Sequence, residues 1–434
     1  MYLKRTANML TSRSTTLATR GSNGWEIRKL SLIAGCVATL QCCNLSALAQ
    51  DVPLAPPPGF EQGADLTVGD FALFNRIQTG LQGTNNIRQD PTEESDLKFI
   101  FAGAAVARST WDKHALAFTA TYVRQDALDT DNQTSEAFSA TVSGRYDFTD
   151  SLSMNAGLLH SESIVGKNDP NQFIGNLNGT TATESIEGGI NWKNEAYFVN
   201  FEGRFNKVNN KTQLDLTVVS RIQQQDRDEL EGTVQIGRNF KGGKAYFTFG
   251  GQEFKYTGST FLLPEDRDSD GIRIGAGVEF SRGDWQGIFR VFGFEQQFDA
   301  PSIGKLTDVV GTAQLVWKAN DKLSVAGKVQ RSFDETNIET SAGLFTNLAS
   351  IGALYQIRDD LYLRAGPTYR YYQIEGTGVT ADSFTFDSSL AWQAHDRVEL
   401  TLDVSASNQW VSSADISNLA YHEASITVSS VITF

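Results

Sequence analysis

The sequence predicts an all-β chain folded as a single transmembrane antiparallel β-barrel of about eighteen strands, with short periplasmic turns and long outer loops. Three observations carry this prediction. Apolar and polar residues alternate with period two: Ala424, Ile426, Val428, Ser430, Ile432 and Phe434 fall on one face, and Glu423, Ser425, Thr427, Ser429 and Thr433 on the other. Charges sit in mid-strand on the polar face, as at Glu202, Arg204, Arg273, Glu279, Arg364 and Arg370. A dry core would pay several kcal/mol for each unpaired ion, whereas a water-filled lumen would not. Aromatic residues also recur beside short polar turns about one hairpin apart, at Trp111, Phe148, Trp192, Phe240, Phe280, Trp317, Tyr355 and Trp392. Trp111, Trp192, Phe240, Trp317 and Trp392 are read as a membrane-interface girdle; the competing reading is a soluble hairpin repeat such as a propeller.

Composition excludes other classes. The 434 residues are 40 % hydrophobic and 20 % charged and include 27 Phe, too aromatic a mixture for a disordered chain. A formal charge of −14 argues against nucleic acid as a partner, because phosphate contacts need a concentrated basic surface. No stretch after the first fifty residues reaches the roughly 18 apolar residues of a membrane-spanning helix.

Residues 1–50 are a separate object. Arg28 and Lys29 precede the apolar run Leu30–Leu40 and the small-residue site Ala47-Leu48-Ala49, the pattern of a cleaved secretory signal peptide. Ile33-Ala34-Gly35-Cys36 offers a rival lipoprotein cut. Cys36, Cys42 and Cys43 all lie in this segment, so the exported chain has no disulfide and no cysteine metal site. Removing the segment leaves a more acidic chain. Residues 51–69, with prolines at 53 and 56–58, read as a stiff periplasmic tail ahead of a barrel over residues 70–434.

Eighteen strands read near 70–81, 97–109, 115–124, 136–147, 151–161, 184–192, 196–206, 229–239, 245–255, 271–281, 285–296, 308–317, 323–331, 343–356, 361–373, 383–392, 397–409 and 421–434. Sixteen to twenty are compatible with the pattern. Leu214–Val219 could pass as a further strand, but admitting it would put the long stretch 257–270 on the periplasmic side, so 207–228 is read as an outer loop. Short and long connections then alternate, eight short turns against nine long loops. A C-terminal strand finishing on Phe434 matches the terminal aromatic that barrels present to their assembly machinery.

The run Glu265-Asp266-Arg267-Asp268-Ser269-Asp270-Gly271, entering the strand Ile272–Val278, and the hairpins at Ala319-Asn320-Asp321-Lys322-Leu323 and Arg358-Asp359-Asp360-Leu361 resemble the "putative β-barrel porin type 2" group of outer-membrane proteins. The resemblance covers roughly residues 225–434 well and the earlier half only in style. It implies a Gram-negative outer-membrane barrel with a link to exopolysaccharide export, and transfers no catalytic residue.

Chemistry finds little purchase. A barrel hydrolase needs a nucleophile beside a His base, yet His114 and His395 fall at periplasmic turns and His160 and His422 on the lipid-side phase, with no Gly-x-Ser-x-Gly elbow. No enzyme and no cofactor are expected. Asp266, Asp268, Asp270 and Gly271 imitate the start of a calcium loop, but its twelfth position is Gly277 where a bidentate Glu is needed. The acidic stretches Asp90–Asp96 and Asp126–Asp131 suit solvated loops or cation bridges to lipopolysaccharide. The polar phase projects Arg145, Arg204, Arg273, Arg290, Lys328, Arg364 and Arg370 into the lumen against Glu187, Glu202, Glu279, Glu399, Asp387 and Asp403. These cations either attract anions, as charged rings do, or pair with neighbouring lumen acids to brace the wall. The expected function is a porin-like passage for polar or anionic solutes, saccharides among them. The competing expectation is a structural or adhesive barrel with a plugged lumen that binds surface polysaccharide. Expected partners are outer-membrane lipid and lipopolysaccharide, the barrel assembly machinery and polysaccharide export components.

Overall fold

The computed structural model describes residues 66–434 except 90, 92, 131–133, 166–178, 213–225, 258–266, 336–340 and 413–419. The signal segment, most of the proline-rich tail, Leu214–Val219, and Asp90, Asp131 and Asp266 lie outside the described residues. The chain order is β1 (Leu66–Val68), β2 (Phe71–Thr84), β3 (Asp96–Ser109), β4 (Ala115–Ala127), β5 (Ser135–Asp147), β6 (Leu152–Val165) and β7 (Gly179–Lys193). Next come β8 (Tyr197–Thr212), β9 (Arg227–Phe240), β10 (Gly243–Tyr256), β11 (Ser269–Arg282), β12 (Trp285–Phe298) and β13 (Lys305–Lys318). The series ends with β14 (Leu323–Asp334), β15 (Leu344–Arg358), β16 (Leu361–Ile374), β17 (Thr380–His395), β18 (Val398–Val411) and β19 (Tyr421–Thr433).

Each strand from β2 to β19 pairs antiparallel with its sequence neighbours, and β19 returns to β2 from Ser425 opposite Thr84 to Thr433 opposite Arg76. The result is a closed meander of eighteen strands, the architecture the alternation predicts. Closure removes both sheet edges, so every wall strand has a neighbour on each side, though β14 pairs with only the Gly311–Lys318 part of β13. Eight turns cluster at one end and nine connections at the other.

Two details differ from the sequence reading. Leu66–Val68, expected in the tail, forms β1 and pairs with Phe71–Leu73 through a turn at Gly69 and Asp70. It occupies the position beside β2 just beyond Phe434, whose backbone N–H donates to Asn75 O at 3.3 Å. The connections 299–304 and 375–379 are also short, because Phe298, Leu306 and Ile374 prolong the alternation further than the polar composition suggests.

The tight turns explain two glycines. Gly242 and Gly283 have φ of 81° and 58°, and a Cβ on Gly242 would stand 2.7 Å from Ser281 O.

Burial is inverted relative to a soluble domain. Leu158, Ile186, Phe201, Phe247, Ile274, Val291, Val329 and Val428 are exposed on the outer wall, while Gln125, Gln296, Thr368 and Asp387 are buried inside. On the outer face of β12, Trp285 and Glu295 are ten residue steps apart. That distance is about 33 Å along the strand and, at a tilt of about 45°, about 23 Å of height, close to the thickness of an outer-membrane apolar band.

One segment departs from the wall. β14 pairs with β13 only from Ser324 to Arg331, leaving Ser332–Asp334 joined to β15 alone. By phase, Arg331, Phe333 and Phe345 should face outward with the exposed Val329 and Ile351. Instead Arg331 pairs with Asp308 at 2.7 Å, a lumen-side residue of β13, and Phe333 lies 5.1 Å from the lumen-side Phe294 of β12. Phe345 packs on both Phe333 and Phe294 and is 1 % exposed. These contacts form only if the outer part of the β14–β15 hairpin lies inside β12 and β13, so the wall there is two layers thick with a small aromatic core between the layers.

Candidate functional site: the charged lumen

The inner wall is built by the same alternation that builds the outer one. Even-numbered positions of β8, β10, β12, β13, β14, β15 and β16 and odd-numbered positions of β9, β11, β17, β18 and β19 point inward, as the register pairs connect them. All seven cations projected inward from the sequence lie on lumen-facing positions, as do the six acids named with them.

Arg145, Arg204, Arg273 and Arg290 each hold a carboxylate. Arg145 holds Asp147 at 2.9 Å, Arg204 holds Glu187 at 3.3 Å, Arg273 holds Glu231 at 3.0 Å and Arg290 holds Glu279 at 2.9 Å. Lys328, Arg370 and Arg364 lie on β14 and β16: Lys328 stands between Gln314 and Ser350, Arg370 between Leu348 and Ser383, and Arg364 is separated from Asp403 by Ser389 of the intervening strand. The lining therefore alternates in sign, and the arrangement is that of braced pairs along the wall.

Around Glu279 the pairing becomes a cluster that the sequence reading missed in part. Lys244 reaches the other carboxylate oxygen at 3.0 Å and lies over the rings of Phe198 and Tyr246, at 5.6 and 5.5 Å from their centroids. The Tyr246 hydroxyl donates to Glu279 at 3.0 Å and accepts from Arg290 Nε at 2.8 Å. The alternation in Gly243-Lys244-Ala245-Tyr246 already places both residues inward, so the signal existed.

A second array climbs toward the long-loop end. Arg273 donates to Gln252 Oε1 as well as pairing with Glu231, Gln252 Nε2 donates to Gln296 Oε1 at 3.0 Å, and Gln296 Nε2 donates to Ser269 Oγ at 2.9 Å and to Glu335 Oε1 at 2.7 Å. Tyr256 donates its hydroxyl to Glu335 Oε2 at 2.6 Å, and Arg267 pairs with the same oxygen at 3.5 Å while donating to Ser341 O at 3.2 Å. Arg267 and Glu335 are almost fully buried. This ladder joins the lumen face of β9–β12 to the tucked hairpin. Arg267 and Glu335 come from connections separated by dozens of residues, and no local pattern announces their meeting.

The aromatic positions lie where the turns cluster. Trp111 follows β3, and Trp192, Phe240, Trp317 and Trp392 close β7, β9, β13 and β17, all exposed on the outer face. Trp285 stacks on Trp317 with centroids 5.4 Å apart and planes at 9°. The Trp392 indole donates to Asp360 Oδ2 at 3.0 Å. In the turn at Asp360, burial raises the carboxyl pKa, but the Trp392 hydrogen bond and the Arg358 charge outweigh it and hold the group below the usual 3.8. Phe434 is exposed beside β2 at the closing seam.

The histidines are far from the lumen ladder. His114 stacks on Tyr146 at 4.3 Å and accepts the Asp147 N–H at 3.1 Å, and His395 accepts the Arg397 N–H at 3.3 Å. His160 lies against Phe138 and His422 against Asn408, both on the outer face. Asp268 caps a strand end, accepting the Tyr256 N–H at 2.7 Å. Among the described residues no cluster of His, Cys, Asp and Glu has the arrangement of a metal site.

Solved barrels of several kinds are similar to this chain. OccK2 (OpdF) of Pseudomonas aeruginosa is 11 % identical with a TM-score of 0.49, covering 86 % of this chain and 100 % of its own. The siderophore receptor PiuA of Acinetobacter baumannii is 9 % identical with a TM-score of 0.46, covering 86 % and 82 %. The FrpB iron transporter of Neisseria meningitidis, F3-3 variant, is 8 % identical with a TM-score of 0.45, covering 79 % of this chain, which spans 63 % of that transporter. No curated protein matches the sequence. With its closed barrel and charged lumen, and a family match that runs from residue 58 to residue 433, the chain belongs to the family described as "Putative beta-barrel porin 2".

Proposed function

We propose that the protein is a passive channel of the Gram-negative outer membrane for polar solutes, delivered there by cleavage of residues 1–50. In this reading the turn end with its aromatic ring faces the periplasm, the long loops face outward, and the exposed apolar band contacts lipid and lipopolysaccharide. The observation that carries the reading is the ladder of ion pairs and amides from Lys244 to Glu335, which gives a solute hydrogen-bonding partners along the wall. Because the lining pairs its charges, it favours neither sign strongly. Hydroxyl-rich solutes such as saccharides suit it, since each hydroxyl both donates and accepts. Partnership with polysaccharide export components and delivery by the barrel assembly machinery belong to the same proposal.

The hairpin inside the wall favours a second reading, a structural barrel whose outer loops bind surface polymer. Single-channel conductance and reversal potential in a planar bilayer under a salt gradient separate the two. Steady conductance with weak ion selectivity supports the channel, and silence from a folded barrel supports the structural role.

A further inference from the structure

We propose that the outer part of the β14–β15 hairpin has two seats, the tucked one described above and a second one zipped onto β13, and that Glu335 is the latch holding it in the first. The proposal rests on the channel reading only for its consequence, a wider lumen in the zipped state.

The second seat is already present in the chain. Continuing the register from Gly311 opposite Arg331 sets Val310 opposite Ser332, Val309 opposite Phe333, Asp308 opposite Asp334 and Thr307 opposite Glu335. Each pair agrees in phase, so zipping would send Phe333 outward beside the exposed Val309 and would bring Phe345 onto the same apolar face as Ile351. It would also give Lys305–Val310 of β13 a partner strand on the side where β14 now withdraws, and a strand edge without a partner is costly beside lipid. The alternation of β14 and β15 is thus written for the wall, while the contacts of their outer ends are made inside it.

Against β12 and β13 the tucked seat is held at two points. At the hinge, Arg331 pairs with Asp308, while its contacts with Asn347 and the Phe345 ring stay within the hairpin. At the tip, Glu335 takes hydrogen bonds from Gln296 and Tyr256 and the charge of Arg267. Zipping breaks both sets and brings Asp308 beside Asp334, which keeps the hairpin tucked at rest. The aromatic core of Phe294, Phe333 and Phe345 is exchanged for lipid contact, so it opposes the movement less than the polar clamps do. A packed segment with two discrete arrangements separated by a few polar contacts is the kind of element that switches between states.

The test uses the full chain in vesicles with Cys36, Cys42 and Cys43 changed to Ser. Val309→Cys with Phe333→Cys reports the zipped register, and Val316→Cys with Ala326→Cys, opposite each other in the observed ladder, shows that the oxidant reaches the wall. Adding Glu335→Ala should speed the first bridge about tenfold, the population shift that loss of hydrogen bonds to one charged group produces, and leave the second unchanged. Independently, Ser269→Cys, 4 % exposed under the hairpin, should be labelled by a charged maleimide about tenfold faster when Glu335→Ala is present. A control pair that bridges while Val309 and Phe333 do not, with or without Glu335, overturns the proposal; unchanged labelling at Ser269→Cys does so as well. Neither readout is a current, so a barrel that bridges as expected yet conducts nothing refutes the channel and leaves the two-seated hairpin standing.

Discussion

Arg273 and Glu231 lie on strands that do not touch, yet their 3.0 Å ion pair spans the intervening β10 and ties β9 to β11 across the lumen face. Gln252, between them, accepts a further hydrogen bond from the same guanidinium. Cross-strand pairs of this kind brace the wall while leaving both ions half-exposed to the lumen. Removing either member should uncover the other. Arg273→Gln is expected to move the reversal potential toward cation preference and Glu231→Gln toward anion preference, measured in the same salt gradient. Equal, unshifted potentials in both variants would mean that ions do not pass this wall.

The stacked Trp285 and Trp317 should couple energetically. A double-mutant cycle with Trp285→Ala and Trp317→Ala, read by urea unfolding from lipid vesicles, is expected to give an interaction of about 1 kcal/mol beyond the separate losses of apolar contact.

The turn at Asp360 predicts a dependence on acid. A carboxyl whose folded pKa lies below the unfolded one adds stability that is fully present above 3.8 and is lost as pH falls through the lower, folded value. Trp392 emission, followed in a variant with Trp392 as its single tryptophan, should therefore change only below pH 3.8 as the indole loses its carboxylate partner. Asp360→Asn should abolish that transition.

Gly242 should resist replacement more than any solvent-facing turn residue nearby. Gly242→Val puts a β-branched residue at φ of 81° with its Cβ against Ser281 O, at a cost of about 1–3 kcal/mol that urea unfolding would report. Lys241→Ala in the same turn should cost little.

Which features were legible follows from the range of the signal. Alternation is local, so it revealed the strands, their inward cations and the ring of Trp192, Phe240, Trp317 and Trp392 at one end. Turn parity then set the count at eighteen, the number of strands in the closed meander. Pairing across strands is not local: Glu231 and Arg273 belong to different hairpins, and their meeting depends on the register of β9, β10 and β11 together. The tucked hairpin was hidden for a stronger reason. Phe333 and Phe345 obey the outward phase in sequence, and only contacts with Phe294, Asp308, Gln296 and Tyr256 reveal that they are inside. Strand β1 was masked by its brevity, since three residues after a proline-rich run show no period.

The closing seam also governs how such a chain can assemble. Every other pairing in the barrel is a hairpin between sequence neighbours, whereas Thr84 finds Glu423 across 339 residues. Until that encounter the nascent sheet has two raw edges, β2 and β19, each able to recruit a foreign strand. The slow step is then a single loop closure whose entropy grows only with the logarithm of its length, so lengthening an outer loop should scarcely delay it, while damage to either edge should leave an open, aggregation-prone sheet.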